Sequence, residues 1–333
     1  MSGLNAARGA FGWRAAQQAG VQAIYFLRLL ILARLLAPEA FGQLAIAMLI
    51  VSTLMSLSDL GVVQALVQRE RIDKDDYEAA WTVGILRALL IAAAIVAAAP
   101  LFAALFGDSR TTPVIQALGL RPVLAALGSI GVVRLTRELR FREMAMIQVP
   151  GALIDMGVAI ALASRLGVWA LVLGLLAGTA SVTLLSYVIA PHRPRLLLRL
   201  GPALPLIHFG RWVLGTSIIG LIASSGVQLM ISRRLGVAEL GLYFLATKVA
   251  FLPAEAASTV VDSVAFPVYA SLQRDDLRTR ATLRALLSVL AFVLFPVYAL
   301  MIAVAPSLAE VLGPRWTGTA PLIQIIALAA ASA

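Results

Sequence analysis

The sequence of 333 residues contains no cysteine and only two histidines, His192 and His208. The lack of cysteine excludes disulfides, thiolate metal sites and cysteine nucleophiles. Two histidines within one loop argue against a histidine-based metal site or catalytic triad. The chain also has no P-loop, no paired catalytic carboxylates and no Gly-rich nucleotide fingerprint. We therefore expect no catalytic residues, no metal ion and no cofactor, and the protein is predicted not to be an enzyme.

Charged residues are also scarce, at 13% of the chain, whereas soluble domains carry about a quarter. Apolar residues make up 61% of the sequence, and a transmembrane helix uses about 20 of them. This composition predicts an all-α polytopic membrane protein with little room for a soluble domain. The net charge of +10 is typical of cytoplasmic loops that bind anionic headgroups. We therefore expect membrane lipids as partners and no nucleic acid.

Apolar runs of membrane-spanning length predict about ten transmembrane helices. Six lie in an N-lobe, residues 1–190, and four lie in a C-lobe, residues 212–333. Basic residues 191–211 join the lobes and are expected to lie on anionic lipid, with a solvated linker as the alternative. The ten predicted spans are 11–36, 43–67, 80–106, 113–133, 144–164, 168–190, 212–232, 240–264, 283–305 and 317–333.

The loops between these spans carry unequal positive charge. Counting Lys and Arg in alternate loops gives seventeen residues on one side and six on the other. Because cytoplasmic loops carry the excess of Lys and Arg, the N-terminus is predicted to be cytoplasmic.

The two halves of the sequence repeat several short patterns in the same order. The segment AAAPLFAALFG at 97–107 aligns without gaps with AVAPSLAEVLG at 303–313, and PVIQ at 113–116 matches PLIQ at 321–324. We interpret the chain as two parallel repeats of six helices, as in transporters with two lobes, with the second repeat truncated after four. The alternative is that Pro and Gly recur because many spans end with them.

Several polar groups lie inside predicted spans, where they normally face a water-filled cavity or pair with one another. Gln18, Tyr25 and Arg28 fall on one face of the first span. Four in-span cations favour an anionic substrate: Arg28, Arg87, Arg121 and Lys248. The predicted substrate-binding residues are Arg28, Lys248, Arg87, Gln18, Tyr25 and Gln228.

Two acidic residues, Asp155 and Glu255, are predicted to couple transport to a proton or sodium gradient. Ion pairing is the alternative role for several of these groups. Arg28 could form a salt bridge to a neighbouring helix, and Lys248 could neutralise Glu255. Arg87 could instead extend to the cytoplasmic interface.

Several motifs along the whole chain resemble polysaccharide-transporter proteins of the Wzx type. They are LARLLAPEAFG at 32–42, SDLG at 58–61, RELRFR at 137–142 and LGPRW at 312–316. The resemblance implies a flippase of the multidrug, oligosaccharidyl-lipid and polysaccharide exporter superfamily in the bacterial inner membrane. Its implied substrate is an undecaprenyl-pyrophosphate-linked repeat unit for O-antigen, lipopolysaccharide, capsule or exopolysaccharide, and polysaccharide polymerase machinery is an implied partner. Such proteins have twelve or more helices, so we expect this chain to be incomplete at its C-terminus.

Three other functions remain open at this stage. A multidrug or other lipid-intermediate exporter would share the superfamily, although a drug exporter is expected to favour acidic and aromatic cavity residues. A membrane glycosyltransferase would need catalytic acids in a large loop, and residues 191–211 contain no Asp or Glu. The third possibility is a non-transporting scaffold of a polysaccharide assembly complex.

Overall fold

The computed structural model describes residues 2–57, 74–192, 195, 226–255, 257 and 276–332. Every regular element within these ranges is helical, which confirms the all-α prediction for this part of the chain. The helices are α1 (Ser2–Leu35), α2 (Pro38–Leu57), α3 (Lys74–Phe106), α4 (Thr112–Leu118), α5 (Leu120–Ala126), α6 (Gly131–Arg137), α7 (Phe141–Leu166), α8 (Val168–Ile189), α9 (226–235), α10 (Val237–Ala250), α11 (Asp276–Leu312) and α12 (Thr319–Ser332).

Six helices in the described ranges are long and apolar enough to cross a membrane, or seven if one bent pair counts as a span. The protein is therefore a multi-pass membrane protein. Four predicted spans lie partly outside the described residues: 43–67, 212–232, 240–264 and 317–333. The count of ten and the six-helix repeat accordingly stay predictions. The proposed lobe boundary also stays a prediction, because of residues 191–211 only 191, 192 and 195 are described.

Several helices are longer than the apolar runs that predicted them. Helix α1 begins at Ser2 rather than at 11, α3 begins at Lys74 rather than at 80, and α11 begins at Asp276 rather than at 283. An apolar run marks only the part of a helix that suits the bilayer. The helical hydrogen bonds continue into polar sequence because they satisfy the backbone equally well in water.

The predicted helix over 113–133 is not continuous. The structure has α4, α5 and α6 instead, and the chain bends by 67° between Ala126 and Gly131. Such a break frees backbone carbonyls, which need partners at membrane depth. Side chains of α3 and α8 supply them: Trp81 Nε1 donates to the Gly128 carbonyl (3.2 Å), Thr183 Oγ1 to that of Leu124 (2.7 Å) and the Tyr187 hydroxyl to that of Leu127 (2.8 Å).

The described chain forms two compact units, Gly20–Gly241 and Met1–Ala19 with Leu242–Ala333. The first unit buries large apolar side chains from helices α1 to α8, including Leu32, Phe41, Ile95, Ile115 and Leu171. The second buries Tyr298 and Trp316. Large apolar side chains such as Phe292, 82% exposed, cover the outside of α11. This distribution suits a protein whose surface meets lipid, since a soluble surface rarely exposes so many.

The aligned segments 97–107 and 303–313 have the same local structure. Helices α3 and α11 each contain a proline one turn or more before their ends, and Gly107 and Gly313 follow with φ of +83° and +109°. A 3₁₀ turn comes next in both places. Two glutamines then reach back to the preceding helix: Gln116 Nε2 donates to the Val96 carbonyl (3.4 Å) and Gln324 Nε2 to the Ile302 carbonyl (3.1 Å). The sequence match therefore corresponds to a shared helix-end motif.

Helices α2 and α10 touch through glycines near their N-termini. Gly42 and Gly241 are the fifth residues of their helices. A Cβ at Gly42 would lie 2.9 Å from the carbonyl carbon of Val237, and one at Gly241 would lie 2.7 Å from that of Pro38. Each helix thus places the carbonyl of its first residue against the glycine of the other, an approach that only glycine permits.

Candidate functional site

The structure pairs two residues that the sequence assigned to different roles. Arg28 on α1 and Asp155 on α7 lie with Nε and Oδ1 3.0 Å apart. Both are buried, with 9% and 2% of their surfaces exposed. This geometry is a salt bridge between two helices, which the sequence analysis gave as the alternative role of Arg28. Because charges at membrane depth are costly unless compensated, the two side chains neutralise each other there.

Two glycines on α8 make room for Asp155. A Cβ at Gly174 would lie 2.7 Å from its Oδ1, and one at Gly178 would lie 2.8 Å from its Cβ. The two glycines are four residues apart and so share one helical face, the small-xxx-small arrangement that lets membrane helices approach closely. The close packing of α8 against α7 thus leaves the Asp155 carboxylate where it contacts Arg28.

Tyr25 and Arg121 lie within electrostatic range of this pair, and we call the four residues the Arg28–Asp155 cluster. The charges of Asp155, Arg121 and Arg28 all act on the Tyr25 hydroxyl, and Arg121 also acts on Asp155. Tyr25 lies one turn before Arg28 on α1 and is 42% exposed. The cluster therefore contains two positive charges and one negative charge.

The remaining predicted residues are divided between the two compact units. Arg87 on α3 and Gln228 on α9 are half-buried in the first unit. The second unit contains the other three: Gln18, Lys248 and Glu255, all of them exposed. Lys248 Nζ lies 6.0 Å from the centre of the Phe244 ring, at the outer limit of a cation–π contact.

A second polar group, which the sequence did not indicate, surrounds the end of α3. Asp108 accepts hydrogen bonds from Gln43 Nε2 (3.0 Å) and Arg110 Nε (2.9 Å). Burial raises the pKa of Asp108, but the hydrogen bonds from Arg110 and Gln43 outweigh it and hold the pKa below its usual value. Ser232 and Arg233 of α9 cap two terminal carbonyls of α3: Ser232 Oγ donates to Phe106 (2.7 Å) and Arg233 Nε to Leu105.

The described residues contain no group of three or more His, Cys, Asp or Glu side chains that could hold a metal ion. Asp108, Glu138, Glu143 and Asp155 of the first unit are instead engaged by arginine side chains, and Asp108 also by the Gln43 amide. The site that the structure offers is thus a charged cluster inside a helical bundle, suited to holding an ion or a charged group.

A comparison with models of protein families shows which family the chain belongs to. The profile described as polysaccharide biosynthesis protein matches residues 31–321. The chain belongs to this family. The match covers most of the sequence and confirms the resemblance that the motifs indicated.

Individual relatives of the chain are named for the biosynthesis or transport of polysaccharides. The chain is 25% identical over 319 residues to the succinoglycan biosynthesis transport protein ExoT of Rhizobium meliloti, and 26% identical over 321 residues to the lipopolysaccharide biosynthesis protein WzxC of Escherichia coli. These alignments cover 95% and 94% of this chain but 65% of each relative. A solved multidrug resistance MATE family transporter of the MOP superfamily, in an inward-facing conformation, superposes with a TM-score of 0.67. It is 15% identical and the match covers 93% of this chain and 76% of that one, so it establishes a shared fold.

Proposed function

We propose that the protein is a flippase that moves a lipid-linked oligosaccharide across the bacterial inner membrane by alternating access. The substrate would be an undecaprenyl-pyrophosphate-linked repeat unit for polysaccharide assembly, with polysaccharide polymerase machinery as a partner. Family membership and the names of the relatives support a role in polysaccharide export. The observation that carries the proposal is the Arg28–Asp155 cluster, a site of excess positive charge within a bundle of apolar helices.

The negative charge of a pyrophosphate group is complementary to the excess positive charge of this cluster. Guanidinium groups bind phosphate oxygens through paired, charge-assisted hydrogen bonds, and they do so more strongly where water is excluded. A sugar-bearing polyprenyl chain would bring its diphosphate to membrane depth, where Arg28 and its neighbours lie. Lys248, Arg87, Gln18, Tyr25 and Gln228 are further proposed contacts along the path.

The proposal includes the membrane topology of the chain and its division into two repeats. We infer a cytoplasmic N-terminus and two parallel repeats, with the substrate path between an N-lobe and a C-lobe. The common helix-end motif at Gly107 and Gly313 supports the repeat. Asp155 and Glu255 are the proposed sites of ion coupling, since a carboxylate at membrane depth can exchange its partner cation for a proton.

A multidrug exporter is the competing function, and the charge of the cluster argues against it. The cations that such an exporter carries would be repelled by a site with two arginines and one carboxylate. A cluster for cationic cargo would need an excess of acidic groups.

Complementation of a strain that lacks its own flippase tests the proposal. The full-length wild-type protein should restore surface polysaccharide, and Arg28→Ala should not, although immunoblots show it in the membrane. The matched control is Arg165→Ala, which removes an exposed arginine from the last turn of α7. Proteoliposomes with a fluorescent undecaprenyl-pyrophosphate saccharide give the direct measurement. Export of a cationic dye without movement of this lipid would identify a drug exporter instead.

A further inference from the structure

A glutamine replaces the hydrogen bond that a proline removes from α3. Proline has no N–H to donate, so the carbonyl four residues before it loses its helical partner. Pro100 lies inside α3, and the residue four before it is Val96. The Val96 carbonyl is the group that accepts the hydrogen bond from Gln116 Nε2, at 3.4 Å. The hydrogen bonding of α3 is therefore completed by a side chain of α4 rather than by its own backbone.

The second copy of the motif has the same arrangement in the other compact unit. Pro306 lies inside α11, Ile302 is four residues before it, and Gln324 Nε2 of α12 donates to the Ile302 carbonyl at 3.1 Å. An unpaired carbonyl is costly at membrane depth, so a proline in a membrane helix needs such a donor. The recurrence in both copies indicates that the proline and the glutamine act together.

The bond to Gln116 divides α3 into a long stem and a short end segment. We call this end segment, residues 100–106, the α3 tip. A hydrogen bond from a side chain opens when that side chain changes its rotamer, whereas a bond within a helix opens only when the backbone unwinds. Proline is also the commonest site of a bend in a helix. The α3 tip is therefore the part of α3 that can move most easily against the rest.

Helix α9 holds the other end of the α3 tip. Ser232 Oγ donates to the Phe106 carbonyl at 2.7 Å, and Arg233 Nε donates to the Leu105 carbonyl. Ser232 and Phe106 are both buried. Carbonyls in the last turn of a helix have no partner within that helix, so these two depend on α9. Because α3 belongs to the predicted N-lobe and α9 to the predicted C-lobe, the two bonds join the lobes.

We propose that the α3 tip is a hinged latch between the two lobes, with its hinge at Pro100 and its contact with the C-lobe at Ser232 and Arg233. The latch opens when the transport path opens on this side of the membrane. This inference rests on the proposed function, because it assigns a moving part to alternating access. Hydrogen bonds to carbonyls hold both ends of the tip, so its release strands no buried charge.

Spin labels can measure the position of the α3 tip in the full-length protein, in nanodiscs and without substrate. The chain has no cysteine of its own, and Ser109→Cys and Leu235→Cys place labels at exposed sites after the tip and at the end of α9. Ser232→Ala should enlarge the population with the longer distance about threefold or more, because one hydrogen bond of the closed state is lost. Ser52→Ala is the matched control, since its hydroxyl donates within its own helix. The same distances in Ser232→Ala as in wild type would overturn the latch.

A double-mutant cycle tests the hinge. Gln116→Leu should lower the melting temperature and broaden the label distances. In the Pro100→Ala background it should do neither, because alanine restores an N–H for the Val96 carbonyl. Equal effects of Gln116→Leu in both backgrounds would overturn the assignment of the hinge.

Transport in proteoliposomes distinguishes a moving part from a merely structural one. Pro100→Ala alone should slow the movement of a lipid-linked saccharide about fivefold and leave its binding affinity unchanged, because a continuous helix resists bending. A structural role alone would raise the melting temperature and leave the rate as in wild type, which would overturn the inference. A wild-type protein that moves no lipid-linked saccharide would overturn the proposed function, whereas the label distances need no substrate and still decide whether the latch exists.

Discussion

Replacing Gly42 by alanine should lower the stability of the protein, because the new methyl group would overlap the backbone of α10. Its Cβ would lie 2.9 Å from the Val237 carbonyl carbon, and closer still to the carbonyl oxygen. Ordinary contact begins near 3.4 Å, so α2 and α10 must separate by at least about 0.5 Å. The obstacle is helical backbone, which cannot rotate away as a side chain can.

The cost can be estimated from two opposing effects. Overpacking of this kind costs up to about 3 kcal/mol, and alanine gains about 1 kcal/mol over glycine in a helix. The net loss of unfolding free energy is then about 2 kcal/mol, which lowers the melting temperature by roughly 4 °C or more. Fluorescence from the five tryptophans, or size-exclusion chromatography after heating, would measure it in detergent.

Gly157 supplies the matched control, since a Cβ there meets nothing within 4 Å. Gly157→Ala in α7 should therefore gain up to about 1 kcal/mol of stability. Gly241→Ala should behave like Gly42→Ala, and the double variant should lose less than the sum, because one separation of the helices relieves both clashes. If Gly42→Ala and Gly157→Ala melt at the same temperature, the close approach of α2 and α10 is refuted.

Three further predictions follow from other parts of the structure. Gly174→Ala should displace the Asp155 carboxylate from Arg28 and lower the melting temperature by several degrees, whereas Gly84→Ala, in open space on α3, should not; thermal unfolding measures both. Asp108 has a pKa lowered by Arg110 and Gln43, so its stabilising contribution is present at neutral pH and lost as the pH falls through the folded-state value below 3.8; melting curves from pH 6 to pH 3 should therefore fall less steeply for Asp108→Asn than for wild type. Because the chain has no cysteine, single substitutions can map its orientation: an impermeant maleimide should label exposed Ser109→Cys on intact cells and exposed Arg142→Cys only after permeabilisation, and the reverse pattern would place the N-terminus outside.

The apolar runs were sufficient to predict helices such as α7 and α8, because bilayer length and helical periodicity are local properties of the sequence. The break after Ala126 was missed for the opposite reason. Its carbonyls are satisfied by Trp81 and Tyr187, which are distant in sequence and have no local signature.

The sequence singled out Tyr25, Arg28 and Asp155 one by one but did not predict their grouping, and their role in binding stays a prediction. Arg28 and Asp155 were both conspicuous because charges are rare in spans, yet their pairing depends on how closely α7 and α8 pack. That packing depends on Gly174 and Gly178, which look ordinary in an alanine- and glycine-rich sequence. Asp108 was missed because its partners come from another helix and from a turn.

The bend between α5 and α6 has a consequence for where the charges lie in the bilayer. Helix α6 carries Arg134 and Arg137 and leaves the direction of the preceding helices by 67°. Because basic side chains favour the headgroup region, Arg134 and Arg137 favour a position of α6 whose C-terminal end lies at the membrane surface. Arg121 lies six residues before the elbow, which is about 9 Å of helix. Because α5 and α6 are joined at the elbow, the depth of α6 limits how far this guanidinium can lie from the membrane surface.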